Sequence, residues 1–184
     1  MSRIPGILIA GLLSLAALPA LAGESPLDWL ERMSMATSQM TYQGTFVYQQ
    51  NDRMETMRIT HVASEDGVRE RLVSLSGSGG EVLRDSSGVR WVLGNGASVL
   101  SDSTLDRPLF PVMPVDLESL AGRSYRVRFG GDALVAGQAA RKVHVSPRDP
   151  FRYGYAFWLE AHSGLLLKWE LLGSDGRPLA RLLF

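Results

Sequence analysis

Hydrophobic residues follow a helical period in one stretch of this chain and a period of two almost everywhere else. Leu27, Leu30, Met33, Thr37 and Met40 recur at helical spacing, with Trp29 and Ala36 beside them. Ser25 suits an N-cap, Pro26 the first helical position, and Asp28 stands three residues after the cap as a capping-box acid. The pattern predicts an amphipathic helix with one apolar stripe to bury. From Thr41 the period changes. Tyr42, Gly44, Phe46 and Tyr48 fall on one face of a strand, and Gln43, Thr45, Val47 and Gln49 on the other. Asn51-Asp52 is a turn. Met54 to Ala63 reads as the returning strand, with Met57 and Ile59 opposed to Thr56, Arg58 and Thr60.

Short strands follow at 68–76, 81–85, 89–93 and 97–101, separated by Gly77-Ser78-Gly79-Gly80, Ser86-Ser87-Gly88 and Gly94-Asn95-Gly96. Strands joined by such tight turns must be mostly antiparallel, because parallel neighbours need crossovers of about a dozen residues. Ser101 to Pro114 breaks the rhythm. There Pro108, Pro111 and Pro114 alternate with Leu105, Leu109, Phe110, Val112 and Met113, an apolar stretch that cannot form a regular strand or helix. A short helix is predicted over Asp116 to Ala121. Strands resume at 125–129, 140–146, 153–160 and 165–172, with a last one from Pro178 to Phe184. Tyr153, Tyr155, Phe157 and Leu159 share one face, with Trp158 on the other. Leu165, Leu167, Trp169 and Leu171 repeat the first face on the partner strand.

Roughly ten strands and two short helices create a covering problem, since a sheet that wide must close, split or bury one face. The expected fold is mainly β (α+β), a large curled antiparallel sheet with short helices in its concave face, and no domain boundary within 23–184. About ten residues of helix cover only ~15–20 Å. A curled sheet so incompletely plugged leaves an apolar hollow. The same side chains also suit a plain core, and the pattern alone leaves both readings open.

The N-terminal segment adds a location. Arg3 precedes an apolar run from Ile4 to Leu18 and a small-x-small site at Ala20 and Ala22, the pattern of a secretory signal peptide over 1–22. The run is short of the roughly 20 residues that a spanning helix needs. The mature chain is expected to begin at Gly23 and to work outside the cytoplasm. Glu24 stands where a lipoprotein would carry an acylated cysteine, so a soluble product rather than a tethered one is expected.

The chain has no cysteine, which rules out disulfides and thiolate metal sites. Nineteen basic residues balance nineteen acidic ones. That neutrality gives no long-range attraction to nucleic acid, nor any general attraction to anionic lipid. Catalytic patterns are missing as well. His61, His144 and His162 stand apart, without the spacing of a metal pair. No serine sits in a G-x-S-x-G elbow. The glycine clusters lack the lysine and helix of a phosphate loop, and Asp102 and Asp106 lack a third acid for a calcium loop. The residues point to a binding protein without catalysis, cofactor or metal.

Several segments together resemble one family. They are Tyr42-x-Gly44-Thr45-Phe46-Val47-Tyr48, the run Met54 to His61, the run Arg69 to Gly77 with Glu81-Val82, and Val135-Ala136-Gly137-Gln138-Ala139-Ala140. Tyr153-Gly154-Tyr155-x-Phe157-Trp158-Leu159-Glu160 and Ser163-Gly164-Leu165-Leu166-Leu167-Lys168 complete the set. Across Trp29 to Phe184 this is similar to the N-terminal domain of the MucB/RseB family of periplasmic sigma-factor regulators. The resemblance implies a half-open barrel like that of LolA/LolB, with a smaller C-terminal domain following it in family members; 23–184 is expected to correspond to the N-terminal domain alone, the second domain being absent. It also implies binding to the periplasmic region of a membrane-anchored anti-sigma factor, shielding of that region from proteolysis, and release by lipid or lipopolysaccharide fragments. A LolA/LolB-type carrier of lipid or lipoprotein in the periplasm is the alternative. In either case Met33, Tyr42, Phe46, Tyr48, Met57, Ile59, Phe157 and Trp169 are expected to line the hollow. Leu109, Phe110, Val112 and Met113 are expected to form a lid or partner strip, with a packed connector as the equal alternative. Burying ten acyl methylenes would yield ~8 kcal/mol before the costs of association.

Overall fold

The structure is a computed structural model that describes residues 23–77, 79–101 and 122–184. The expected signal segment 1–22, the strip Leu109, Phe110, Val112 and Met113, and the helix at 116–121 lie outside these described residues. Helix α1 (Pro26–Gln39) begins as its sequence predicts. The Asp28 N–H donates to Ser25 Oγ at 3.2 Å, and the Ser25 N–H donates to the Asp28 carboxylate at 2.8 Å. Its 14 residues reach ~21 Å, slightly longer than expected. The stripe is Trp29, Leu30, Met33, Ala36 and Thr37. Met40 leaves it to cap the helix, its N–H bonded to the Ala36 carbonyl.

Eleven strands form a single antiparallel sheet: β1 (Tyr42–Gln50), β2 (Arg53–Ser64), β3 (Gly67–Ser74), β4 (Gly80–Asp85), β5 (Gly88–Leu93), β6 (Ser98–Ser101), β7 (Tyr125–Val135), β8 (Gln138–Pro147), β9 (Gly154–Glu160), β10 (Leu166–Leu172) and β11 (Pro178–Leu183). Their order is β6-β5-β4-β3-β2-β1-β11-β10-β9-β8-β7. Two meanders, β1–β6 and β7–β11, are thus joined where β1 pairs with β11, and β6 and β7 remain as the edges. The sheet curls without closing, with α1 in its concave face over β7 and β8.

Trp29, Leu30 and Met33 of α1 pack there against Phe46, Ile59, Val143, Val145, Phe157, Leu159 and Leu182. Full burial of such a side chain contributes about 1.5–3 kcal/mol. A smaller cluster of Val135, Ala140, Ala156, Trp158 and Leu167 lies on the convex face. The ammonium groups of Lys142 and Lys168 stand 4.3 and 4.1 Å from the Trp158 ring centroid, so two cations lie over that indole.

Two strands depart from strict alternation. In β10 the register against β9 shifts between Leu166 and Lys168. Leu166 therefore joins the concave core with Trp169 and Leu171, and Leu167 turns to the convex cluster. Leu167 does not share a face with Trp169, because the bulge inserts one residue into the period. In β7 the strand runs past Phe129 to Val135 through a shift between Phe129 and Gly131. It ends in a two-residue turn, where Ala136 (φ 51°) and Gly137 (φ 77°) adopt the left-handed pair that a tight hairpin needs.

Two consequences can be measured. A Cβ on Gly44 would stand 2.5 Å from the Phe184 ring, which packs on Phe46. Gly44→Ala is expected to lower stability by about 1–3 kcal/mol in urea unfolding. The β9–β10 turn is held by Glu160, whose carboxylate accepts from the Ser163 N–H and hydroxyl, both at 2.7 Å. It also accepts from the His162 N–H at 3.1 Å and from His162 Nδ1–H at 3.0 Å. Bonds from the Ser163 backbone above all hold its pKa down to about 2, from an ordinary 4.5. A depressed acid contributes stability that is present above its unfolded pKa and lost as pH falls through the folded one. Stability is thus expected to decline from about pH 4.5 toward 2, with a shallower decline in Glu160→Gln, measured by urea unfolding at each pH.

Candidate functional site

Alternation places one wall of apolar side chains toward the inside of the curl. In register across six strands stand Tyr48, Leu182, Trp169, Phe157, Val143 and Phe129. A second row sets Met57 opposite Phe46. The eight expected lining residues divide in two. Met33, Phe46, Ile59 and Phe157 are fully buried and belong to the packed core, Phe46 being 2% exposed. Tyr42, Tyr48, Met57 and Trp169 are only half-buried and pack against that core from its margin. All eight fall into one cluster, and the half-buried members sit on β1, β2 and β10, away from the strands that α1 covers.

The wall is apolar with few polar atoms. The Tyr48 and Trp169 rings lie 6.4 Å apart. The Trp169 indole N–H is buried without a hydrogen-bond partner among the described residues. Burial, then the Glu55 charge, raises the Tyr48 hydroxyl pKa, so this phenol stays neutral and can donate.

A polar group closes one end of the wall. Tyr42, His61, Glu70 and Arg84 are direct neighbours on β1, β2, β3 and β4. Tyr42 and His61 stack with centroids 4.8 Å apart and planes 7° from parallel. His61 Nδ1 lies 2.8 Å from the Met40 carbonyl, which can only accept, so Nδ1 carries hydrogen. Its Nε2 faces Glu70 Oε1 at 3.7 Å, and Arg84 Nη1 donates to Glu70 Oε2 at 2.8 Å. The Glu70 side chain is 0% exposed. Burial, and after it the Glu70 charge, pushes the Tyr42 hydroxyl far above the usual phenol range. His61 is therefore a buried structural histidine, anchored to the Met40 carbonyl beside the Glu70–Arg84 ion pair. The readable signal was Glu70 itself, an acid at an inward position between Val68 and Leu72.

The arrangement sets a buried ion pair at one end of a largely apolar wall. Among the described residues no group of three His, Asp or Glu is placed to hold a metal. His144 lies on the convex face, where burial, then the charges of Lys142 and Arg128, lower its pKa. No helix among the described residues is long and apolar enough to cross a membrane.

Residues 25–184 match the family model of the MucB/RseB N-terminal domain. The chain is 40% identical over 172 residues to the sigma factor AlgU regulatory protein MucB of Pseudomonas aeruginosa, covering 93% of this chain and 53% of that protein. It is 27% identical over 167 residues to the sigma-E factor regulatory protein RseB of Haemophilus influenzae, covering 90% and 52%. A solved complex of Pseudomonas aeruginosa MucA and MucB superposes with a TM-score of 0.71 at 39% identity, covering 86% of this chain and 55% of that one. The chain spans about half the length of the curated relatives it matches.

Proposed function

The chain belongs to the MucB/RseB family, and from that premise we propose that it is a periplasmic, non-catalytic regulator that binds the periplasmic region of a membrane-anchored anti-sigma factor. The observation that carries this reading is the match to MucB in a structure solved as a complex with MucA. In this reading the bound segment is withheld from the protease that would begin its degradation. An acyl chain entering the hollow beside Tyr48, Met57 and Trp169 loosens that grip. A ligand shifts such an equilibrium only by its differential affinity for the two states, so lipid and partner must favour different forms of the wall. The half-buried side chains and the unpaired Trp169 N–H support this assignment. They offer apolar surface to an acyl chain and one donor to its carbonyl end.

Capture on an immobilised periplasmic anti-sigma segment tests the reading. The chain is expected to bind and to elute on adding an acylated lipid. Failure to bind, with acyl lipid co-purifying instead, would replace regulation with the carrier function of LolA/LolB proteins.

A further inference from the structure

The β8–β9 turn projects an aromatic tip that the concave wall does not use. Phe151 is 92% exposed and Tyr153 55%. This turn is stiffened. Pro150 lies within it, the Phe151 N–H donates to Asp149 Oδ1 at 3.0 Å, and Arg152 pairs with the other oxygen of Asp149. At its base Arg148 donates from its backbone N–H to the Ser124 carbonyl at 2.9 Å and from Nε to the Tyr125 carbonyl at 3.2 Å. A rigid loop thus holds a phenyl ring in water, where flexible packing cannot hide it.

Charge surrounds the base of this tip. Arg123, Arg126 and Arg148 are exposed and make no ion pair among the described residues, whereas the nearby Asp149 is already engaged by Arg152. Arg126 and Arg148 line a cleft of about 250 Å³, with Leu27, Tyr125 and Val127 among its other walls. The chain as a whole is neutral, so these unpaired arginines are a local feature of this end.

We infer that the β8–β9 turn docks the protein on an anionic lipid bilayer, a role independent of partner binding. Phe151 enters the boundary between headgroups and acyl chains, Tyr153 lies at headgroup level, and the arginines set back from the tip meet lipid phosphates. The depth order decides for a bilayer over a protein pocket. Apolar matter stands at the apex and cations behind it, the profile of an interfacial anchor. The opposite end of β8 supplies an internal control, because Leu134 is 78% exposed beside the β7–β8 turn, roughly 30 Å away.

The absence of native cysteine allows a single label. Phe151→Cys and Leu134→Cys, each carrying an environment-sensitive dye, are mixed with phosphatidylglycerol or phosphatidylcholine vesicles. Docking predicts a blue shift at position 151 with phosphatidylglycerol alone and none at 134. Arg126→Gln should weaken vesicle partition about fivefold, the effect of one arginine at an anionic surface. No shift with anionic vesicles, equal shifts at both positions, or a shift without vesicles that grows with protein concentration would each overturn the inference. The last of these would mark a contact between two copies instead.

Discussion

Arg84→Ala is expected to destabilise the domain by about 3–5 kcal/mol, more than any other single change at a polar residue described above. The side chain of Glu70 exposes nothing, and the Arg84 guanidinium stands 2.8 Å from one of its oxygens. Removing the cation takes away the charge that faces this buried carboxylate, the costly way to break an internal ion pair. His61 does not substitute. Its Nδ1–H is committed to the Met40 carbonyl, so in the neutral ring Nε2 presents a lone pair to Glu70 Oε1. A double variant, Glu70→Leu with Arg84→Met, should recover most of the loss, because an apolar pair of similar volume avoids both desolvation costs. Urea unfolding of the single and double variants measures this. Equal destabilisation in both would show that packing, not charge, governs the site.

Met57→Asp is expected to weaken binding of an acylated probe by at least about a hundredfold with the fold retained. Met57 is half-buried opposite Phe46, at the margin of the core, so a carboxylate there stays hydrated in the free protein. An acyl chain laid over it would have to strip that water, which costs several kcal/mol for an unpaired charge. Met57→Leu keeps volume and polarity and should bind normally. Phe46→Asp is expected to unfold the domain instead, because at 2% exposure Phe46 belongs to the packed core. Probe fluorescence titration with circular dichroism of each variant separates the two effects.

Local rules made much of this fold legible. Ser25, Pro26 and Asp28 marked the start of α1 because a capping box is closed by neighbours in sequence. The alternation from Tyr42 to Gln49 marked the faces of β1 because its period is unbroken. Leu166 and Leu167 misled because a bulge moves one residue across the sheet, and a run of leucines gives no sign of where it lies. β7 continues past the predicted end at 129 because Gly130-Gly131 accommodate a register shift, which interrupts the alternation without ending the strand. At the site, the eight residues expected to line the hollow fall into one cluster, seven from strand alternation and Met33 from the helical stripe; the pattern stops there. It could not divide core from margin, because that depends on where a single helix comes to rest. Glu70 and Arg84 escaped notice because their partners lie across three strands and become neighbours only through register.

In the proposed reading the concave wall receives an acyl chain at Trp169. Quenching of tryptophan fluorescence by a brominated fatty acid tests it by contact. Of the four tryptophans, Trp169 lies in the proposed hollow, Trp29 is covered in the core, Trp158 is on the convex face, and Trp91 is exposed on β5. Saturable quenching is expected in the native protein, and Trp169→Phe should remove most of it. Quenching that is absent, or that survives Trp169→Phe unchanged, would contradict the claim.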